Sequence, residues 1–598
     1  MSRLTPAATV KRKFMNEEPK SIWKKSWTGW RGFLLWFILF FVIFLTGLTV
    51  ISNNLPSAWF LAAGFALVGV ILVAFVHWLW CWRNFKRFLF GLACLATLIA
   101  LFYAEEDWRG WHAWQKFKHE GEAKGERFDP ASVVPPPVPD DQNFALTPIV
   151  FTSYGSMLTR DGKGIPYKQR DKNFVDRLKI SAVYNDEWPT TNGNGNWQVA
   201  KASNLKVWQN YYRALAAKTN EFPVPPQPQA PAPDVLLALS KYDSAIEELR
   251  QASQLPDSRF PLNYDSDFPG AILLPHLADL KHCAQVLQLR AVAELQNGQS
   301  EKALADVKLM LRLADSIHTE PILISHLVRI AIVNLALQPI WEGLAQHKWS
   351  DTQLTALDSE LAKLDFLADY KLSMRGEMVL CQDGIIDYLR HHPEQISNMS
   401  DAGGSTPAAP AAIISYLIPS GWFYQNALRC SRFTVQHYLP LADLEHRIIS
   451  PASLRHADAA LDLEFRHVSP YNRLEVMFLP GIGAVVKKFA YFQSSVDLAR
   501  VAIALERYRL AHGEFPESLD ALAPQFIAKL PHDIINGQPL HYRRTSDPSS
   551  QSSDAASGQF VLYSVGWNET DDGGTVGLKK DGAVDINQGD WVWRYPAK

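Results

Sequence analysis

The sequence predicts a mainly α protein in three parts: three N-terminal transmembrane helices, an α-helical bundle or irregular solenoid domain, and a small α+β C-terminal domain. Three observations carry this reading. The first 104 residues hold three apolar runs without Asp, Glu, Lys or Arg, the middle repeats apolar residues every three or four positions, and the end alternates like strands between glycine-rich turns. A length of 598 residues, at roughly 150 per domain, suggests about three to four units. The 59 basic and 61 acidic residues leave a net charge of −2, too balanced for a nucleic-acid binder working by bulk electrostatics. A hydrophobic content of 47% excludes a largely disordered chain.

The apolar runs are Phe33–Ile51, Ala58–Trp80 and Phe88–Ala104, within residues 33–104. Each approaches or exceeds the roughly 17 to 25 residues that cross a bilayer. The first is too long for a signal-peptide core and lacks a small-x-small cleavage site, so it reads as an anchor. The leader, residues 1–32, carries Arg3, Lys11, Arg12, Lys13, Lys20, Lys24, Lys25 and Arg31 against Glu17 and Glu18, and the second connection carries Arg83, Lys86 and Arg87. Cations stay on the cytoplasmic side, so residues from Glu105 onward are expected outside. Asn53, Asn54 and Pro56 form an external turn, and His77 sits near a tryptophan-rich span end without a carboxylate partner in the other spans.

Residues 105–141 are expected to hold an interfacial helix, with Trp108, Trp111 and Trp114 as a stripe along the headgroups, and then a proline-rich spacer ending at Asp141. Residues 142–234 read as an irregular mixed region, including the turn signals Thr190–Trp197, closed by a second proline-rich linker at Phe222–Asp234. The helical domain is expected over 235–480. Leu280–Leu295, Lys302–Ile317, Ile322–Gln346 and Asp351–Leu364 are amphipathic, Ser350–Gln353 fits a capping box, and Asp401–Ala412 reads as a surface loop. Leu289–Leu311 resembles one tetratricopeptide-type hairpin, with Ala293, Ala303 and Ala305 where two helices approach; no repeat near 34 residues accompanies it.

Residues 481–598 combine a long helical period, a short helix, and strands around Phe560–Val565 and Trp591–Tyr595. Tyr508, Gly513, Phe515, Pro516, Leu519, Leu522, Pro531, Asp533, Gly537, Pro539, Ser564, Gly566 and Asp571–Gly574 follow one another at spacings that resemble the periplasmic part of the type II secretion major pseudopilin. The resemblance implies a pseudopilin-like α+β domain. That family's Gly-Phe-x-x-x-Glu processing site does not precede the matching helix, so a pilus subunit is not expected. The family binds calcium in its C-terminal loop; Asn568, Glu569, Asp571, Asp572, Asp581 and Asp585 supply oxygens suited to a hard cation, although a solvated acidic turn explains them equally. The middle region resembles a large group of membrane-anchored bacterial proteins with this layout, which implies architecture and no activity.

The sequence contains no G-x-S-x-G, H-E-x-x-H or phosphate-cradling glycine motif. His391 and His392 are adjacent and read as a solvated helix end. Cys283, Cys381 and Cys430, outside the spans, lack metal spacing and read as buried small hydrophobes. The expectation is a non-enzymatic scaffold or protein-interaction module at the bacterial inner membrane, with the N-terminus cytoplasmic and the bulk periplasmic. Its partners would be the bilayer and an envelope protein, not nucleic acid; no cofactor beyond calcium is implied. The alternative is an envelope-polymer hydrolase or binding protein using Asp243, Glu247 and Glu248 in a helical cleft.

Overall fold

A computed structural model describes residues 30–51, 58–155, 178–183, 193–219, 221–264, 266, 268, 272–396, 415–545 and 559–595. Residues 1–29 of the leader, the turn at Asn53, Asn54 and Pro56, Thr190–Asn192 and Asp401–Ala412 lie outside the described residues. The chain divides into two units, residues 1–105 and 106–598.

Helices α1 (Trp30–Ile51) and α2 (Ala58–Leu79) belong to the first unit, and α3 (Trp82–Glu122) begins there. By length and composition, three helices could cross a membrane: Leu61–Leu79, Trp82–Glu122 and Leu323–Ala345. The apolar windows of the first two are 17% and 0% buried, whereas that of Leu323–Ala345 is 61% buried, as befits a core helix. α1 adds a third N-terminal apolar helix of 22 residues whose one charge is Arg31. Close approach between α1 and α2 needs a small residue: a Cβ on Gly69 would lie 2.9 Å from the Phe40 ring.

α3 is a single 41-residue helix. The expected headgroup stripe is split, since Trp108 and Trp111 are exposed while Trp114 is buried, with ring contacts to Phe117 and Phe128. Apolar packing thus overrides the interfacial preference of one ring. The spacer after α3 is also docked rather than free: Phe128 is buried, and Arg259 Nε donates to the Pro135 carbonyl at 3.0 Å.

The region expected to be irregular contributes α4 (Pro148–Gly155) and α5 (Leu205–Thr219). Gly195 is pressed against Gln338, whose Oε1 accepts from Trp197 N at 2.7 Å. The second proline-rich stretch is a joint within the core, not a loose linker. Phe222 is buried, Arg213 donates to the Pro225 carbonyl, and buried Asp234 accepts from Gln209 Nε2 at 2.7 Å. Pro231 begins α6 (Pro231–Leu239), where its missing N–H costs nothing.

The helical body follows as α7 (Asp243–Ala252), α8 (Pro275–Gln296), α9 (Ser300–Asp315), α10 (Leu323–Ala345), α11 (Asp351–Leu361) and α12 (Phe366–Gly376). Of these, α8 to α11 match the four predicted amphipathic segments. Ala293 and Ala303 are fully buried in the α8–α9 hairpin, and the Ser350–Gln353 capping box is complete. A π-helical turn, Glu377–Asp383, leads into α13 (Gly384–His391); α14 (Ser420–Phe433) runs into a second, Thr434–Tyr438. Thr434 Oγ1 donates to Gln382 Oε1 across the two turns at 3.4 Å. Strands β1 (Ala442–Asp443) and β2 (Ile448–Ile449) pair, and α15 (Pro451–Phe465) and α16 (Glu475–Phe478) precede the long α17 (Ile482–His512).

The chain ends in a small sheet-containing region. β3 (His541–Thr545), β4 (Gln559–Ser564) and β7 (Trp591–Arg594) form an antiparallel sheet in the order β3-β4-β7, while β5 (Val576–Leu578) pairs with β6 (Val584–Gly589). Gly513, with φ of +86°, caps α17 in a conformation that favours glycine. One buried core runs from Phe144 to Tyr595, across the boundary expected near residue 481. α17 is the reason: its Gln493 accepts from Phe366 N of α12 at 2.8 Å, and its Tyr491 ring meets Trp591 of β7.

Candidate functional site

A cavity of about 700 Å³ lies within the second unit where α3, the π turn at Glu377–Asp383, α13 and α14 meet. That volume suits a small ligand or a short segment of a larger one. Trp114 and Lys118 enter from α3, Phe128 from the docked spacer, Tyr388 from α13, and Phe423 and Tyr424 from α14. Aromatic rings therefore share the walls with charged and polar groups, among them Asp383, Asp387, Arg390 and His391. The π turn shifts the helical register by one residue, a distortion frequent at functional sites.

Asp383, at the end of that turn, lines the cavity. The Ser431 hydroxyl lies within hydrogen-bond distance of both carboxylate oxygens, 2.9 Å from Oδ1 and 2.8 Å from Oδ2. Burial raises Asp383 to about 8 despite Ser431 and the positive charge of Lys118, both of which favour ionisation. Around neutral pH the group is mostly protonated and can donate as well as accept. The Lys118 ammonium lies 5.3 Å from the Trp114 ring centroid and has no ion pair among the described residues. Arg390 is held at the cavity wall by Asp387 at 2.8 Å and by the face of Tyr424.

The cavity offers a ligand ring faces, the Asp383 carboxyl and the Lys118 ammonium. Ser431 donates to a carboxyl rather than to an imidazole, so no nucleophile–base pair of the serine-hydrolase kind forms at this carboxyl. Burial pushes the Cys430 and Cys381 thiols upward, away from the reactive thiolate. No disulfide joins any of the five cysteines. His391 and His392 stand at the C-terminal end of α13 and also line the cavity, a position their helix-end reading did not reveal.

The carboxylates singled out in the sequence lie elsewhere. Asp243 pairs with Arg290, and Glu247 pairs with Arg250 at 3.2 Å; both acids are exposed. Glu248 is half-buried on the same helix. The two arginines also bind buried Asp306 at 2.7 and 3.2 Å, so these ion pairs join α7, α8 and α9. In a smaller cavity of about 280 Å³, burial raises Asp497 to about 6 beside Arg447 and Arg500.

The acidic loop residues are mostly satisfied by neighbouring donors. Asn568 Nδ2 donates to Asp572 at 2.8 Å, Tyr563 and Gly573 N to Asp571, and Arg455 to Glu569. Asp581 and Asp585 accept from the turn amides of Ala583 and Asn587. Among the described residues no three His, Cys, Asp or Glu side chains form a metal-binding group. Buried Asp590, which no motif signalled, accepts from the backbone of Asp572, Gly574 and Thr575 and so closes the loop.

Compared with family models, curated proteins and solved structures, the chain gives no match. Fold and site define a helical protein with N-terminal helices able to enter a membrane and an aromatic-walled cavity in its second unit.

Proposed function

We propose that this chain is a membrane-anchored protein-interaction module of the bacterial envelope, whose cavity beside Asp383 receives part of a partner. The leader is cytoplasmic, α1, α2 and the apolar part of α3 up to Ala104 lie in the inner membrane, and residues from Glu105 onward face the periplasm. The observation that carries the reading is the cavity: about 700 Å³, walled by Trp114, Phe128, Phe423 and Tyr424, with a desolvated carboxyl and an unpaired ammonium but no activated nucleophile at that carboxyl. Aromatic anchors in a concave site are the groups that most often dominate recognition energy. The resemblance of the terminal region's sequence to the type II secretion major pseudopilin is the ground for a link to secretion or envelope machinery.

A second reading, binding of an envelope polymer, is favoured by the same aromatic walls and by Asp383, which can hydrogen-bond a hydroxyl in either direction. A photoreactive side chain placed at Tyr424 in intact cells distinguishes the two. A discrete protein adduct, weakened by Lys118→Gln, supports the partner-protein reading. Adducts with envelope polysaccharide alone replace it with the second, and no adduct of either kind overturns both.

A further inference from the structure

Beyond the cavity, a second surface invites lipid. Trp108 and Trp111 are 64% and 46% exposed on α3, four and seven residues past Ala104, where the apolar run ends. At about 1.5 Å per residue they lie within roughly 11 Å of that point along the helix. The same turns of α3 clasp the loop that follows α15. Tyr471 OH lies 3.1 Å from Glu106 Oε1, Arg109 stacks on the Tyr471 ring, and Trp422 Nε1 donates to Glu106 Oε2 at 3.0 Å. Backbone meets backbone there, since a Cβ on Gly110 would sit 2.3 Å from the Gly421 carbonyl oxygen.

The clasped loop exposes Val468 at 51%, and α16, which follows it, exposes Met477 at 43%. Arg466 and Arg473 stand exposed beside them without an ion pair among the described residues. Exposed tryptophans just past a charge-free run, and exposed aliphatic groups and unpaired arginines on the segment whose Tyr471 is fastened to the same turns, have the composition of an interfacial membrane contact. The apolar groups match the acyl boundary and the cations match anionic headgroups.

We propose that residues 466–478, together with the exposed tryptophans of α3, form a lipid-binding surface seated in the anionic headgroup layer of the membrane that α3 enters. The inference rests on reading the N-terminal helices as membrane-spanning. It adds a second lipid contact to that of the spans.

The test is photo-crosslinking of the full chain, reconstituted into phosphatidylcholine vesicles with or without phosphatidylglycerol, one lipid bearing a fluorescent tag. Benzoylphenylalanine is placed singly at Val468, Met477, Leu578 or Leu98. The expected result is lipid adducts at positions 468 and 477 about fivefold above Leu578, rising with phosphatidylglycerol and falling when Arg466→Gln and Arg473→Gln are combined. Yields at 468 and 477 no higher than at Leu578, or adducts only to a second copy of the chain, overturn the proposal. Position 98 separates the failures: strong adducts there with none at 468 refute only the second surface, while none at 98 refutes the anchor itself.

Discussion

Ser564 Oγ lies 2.9 Å from Asp533 Oδ1, and Val565 N donates to Asp533 Oδ2 at 2.9 Å, joining the end of β4 to the turn before β3. The same carboxylate accepts from Ile535 N at 2.9 Å. One buried aspartate therefore satisfies donors from two segments that the sequence separates by some thirty residues.

Asp533→Ala leaves a buried hydroxyl and two backbone N–H groups without that acceptor, at a cost of about 1 to 3 kcal/mol. Hydrogen exchange of residues 559–566 in the full chain is expected to quicken, while α8 and α9 stay protected. Unchanged protection would show that the carboxylate does not hold the strand.

Gly110→Ala forces a methyl group into the Gly421 carbonyl, and Gly421→Ala places one 2.0 Å from the Glu106 carbonyl oxygen. Either change is expected to cost about 1 to 3 kcal/mol and to loosen α14 from α3. Limited proteolysis reads this as faster cleavage near Arg429. Gly91→Ala, with nothing within 4 Å of its added Cβ, serves as the silent control.

Asp383 gives the second unit a pH signature. Its carboxyl rises from the usual 3.8 to about 8 on folding, so the folded state holds a proton that the unfolded chain releases. The stabilising contribution is complete below about 3.8 and is lost as pH rises through about 8. Asp383→Asn, which keeps an acceptor for Ser431, should leave the melting temperature unchanged at pH 4 and raise it at pH 8. Equal effects at both pH values would show that Asp383 does not titrate in this window.

The acidic loop is closed by Asp590 through three backbone donors. Asp590→Ala is expected to lower the melting temperature of the full chain, whereas a calcium chelator in matched buffer leaves it unchanged. A fall on chelation, reversed by calcium, would show that Asn568 to Asp585 bind the ion after all.

Much of the helical layout was legible because local rules write it: the 3.6-residue period of α8 to α11, the Ser350 cap, the small residues of the α8–α9 hairpin, and the alternation that becomes β4 and β7. The cavity was not legible. It is made of residues from distant segments, and only tertiary packing brings Trp114, Asp383 and Tyr424 together. One signal was present: Asp383 interrupts the apolar positions Met378, Val379, Leu380 and Ile386, where a charge is costly unless used. The proline-rich stretches misled for a related reason. Composition shows that they are extended, while the burial of Phe128 and Phe222 is decided by what lies beneath them.

The claim on which the rest depends is that α1 to α3 anchor the chain with the Asp383 cavity on the outer side. Alkaline phosphatase, active only after export, fused after Lys598 and, separately, after Asn84 tests it in living cells. The account predicts an active fusion at Lys598 and an inactive one at Asn84. The reverse pattern, with both fusions well expressed, would contradict it.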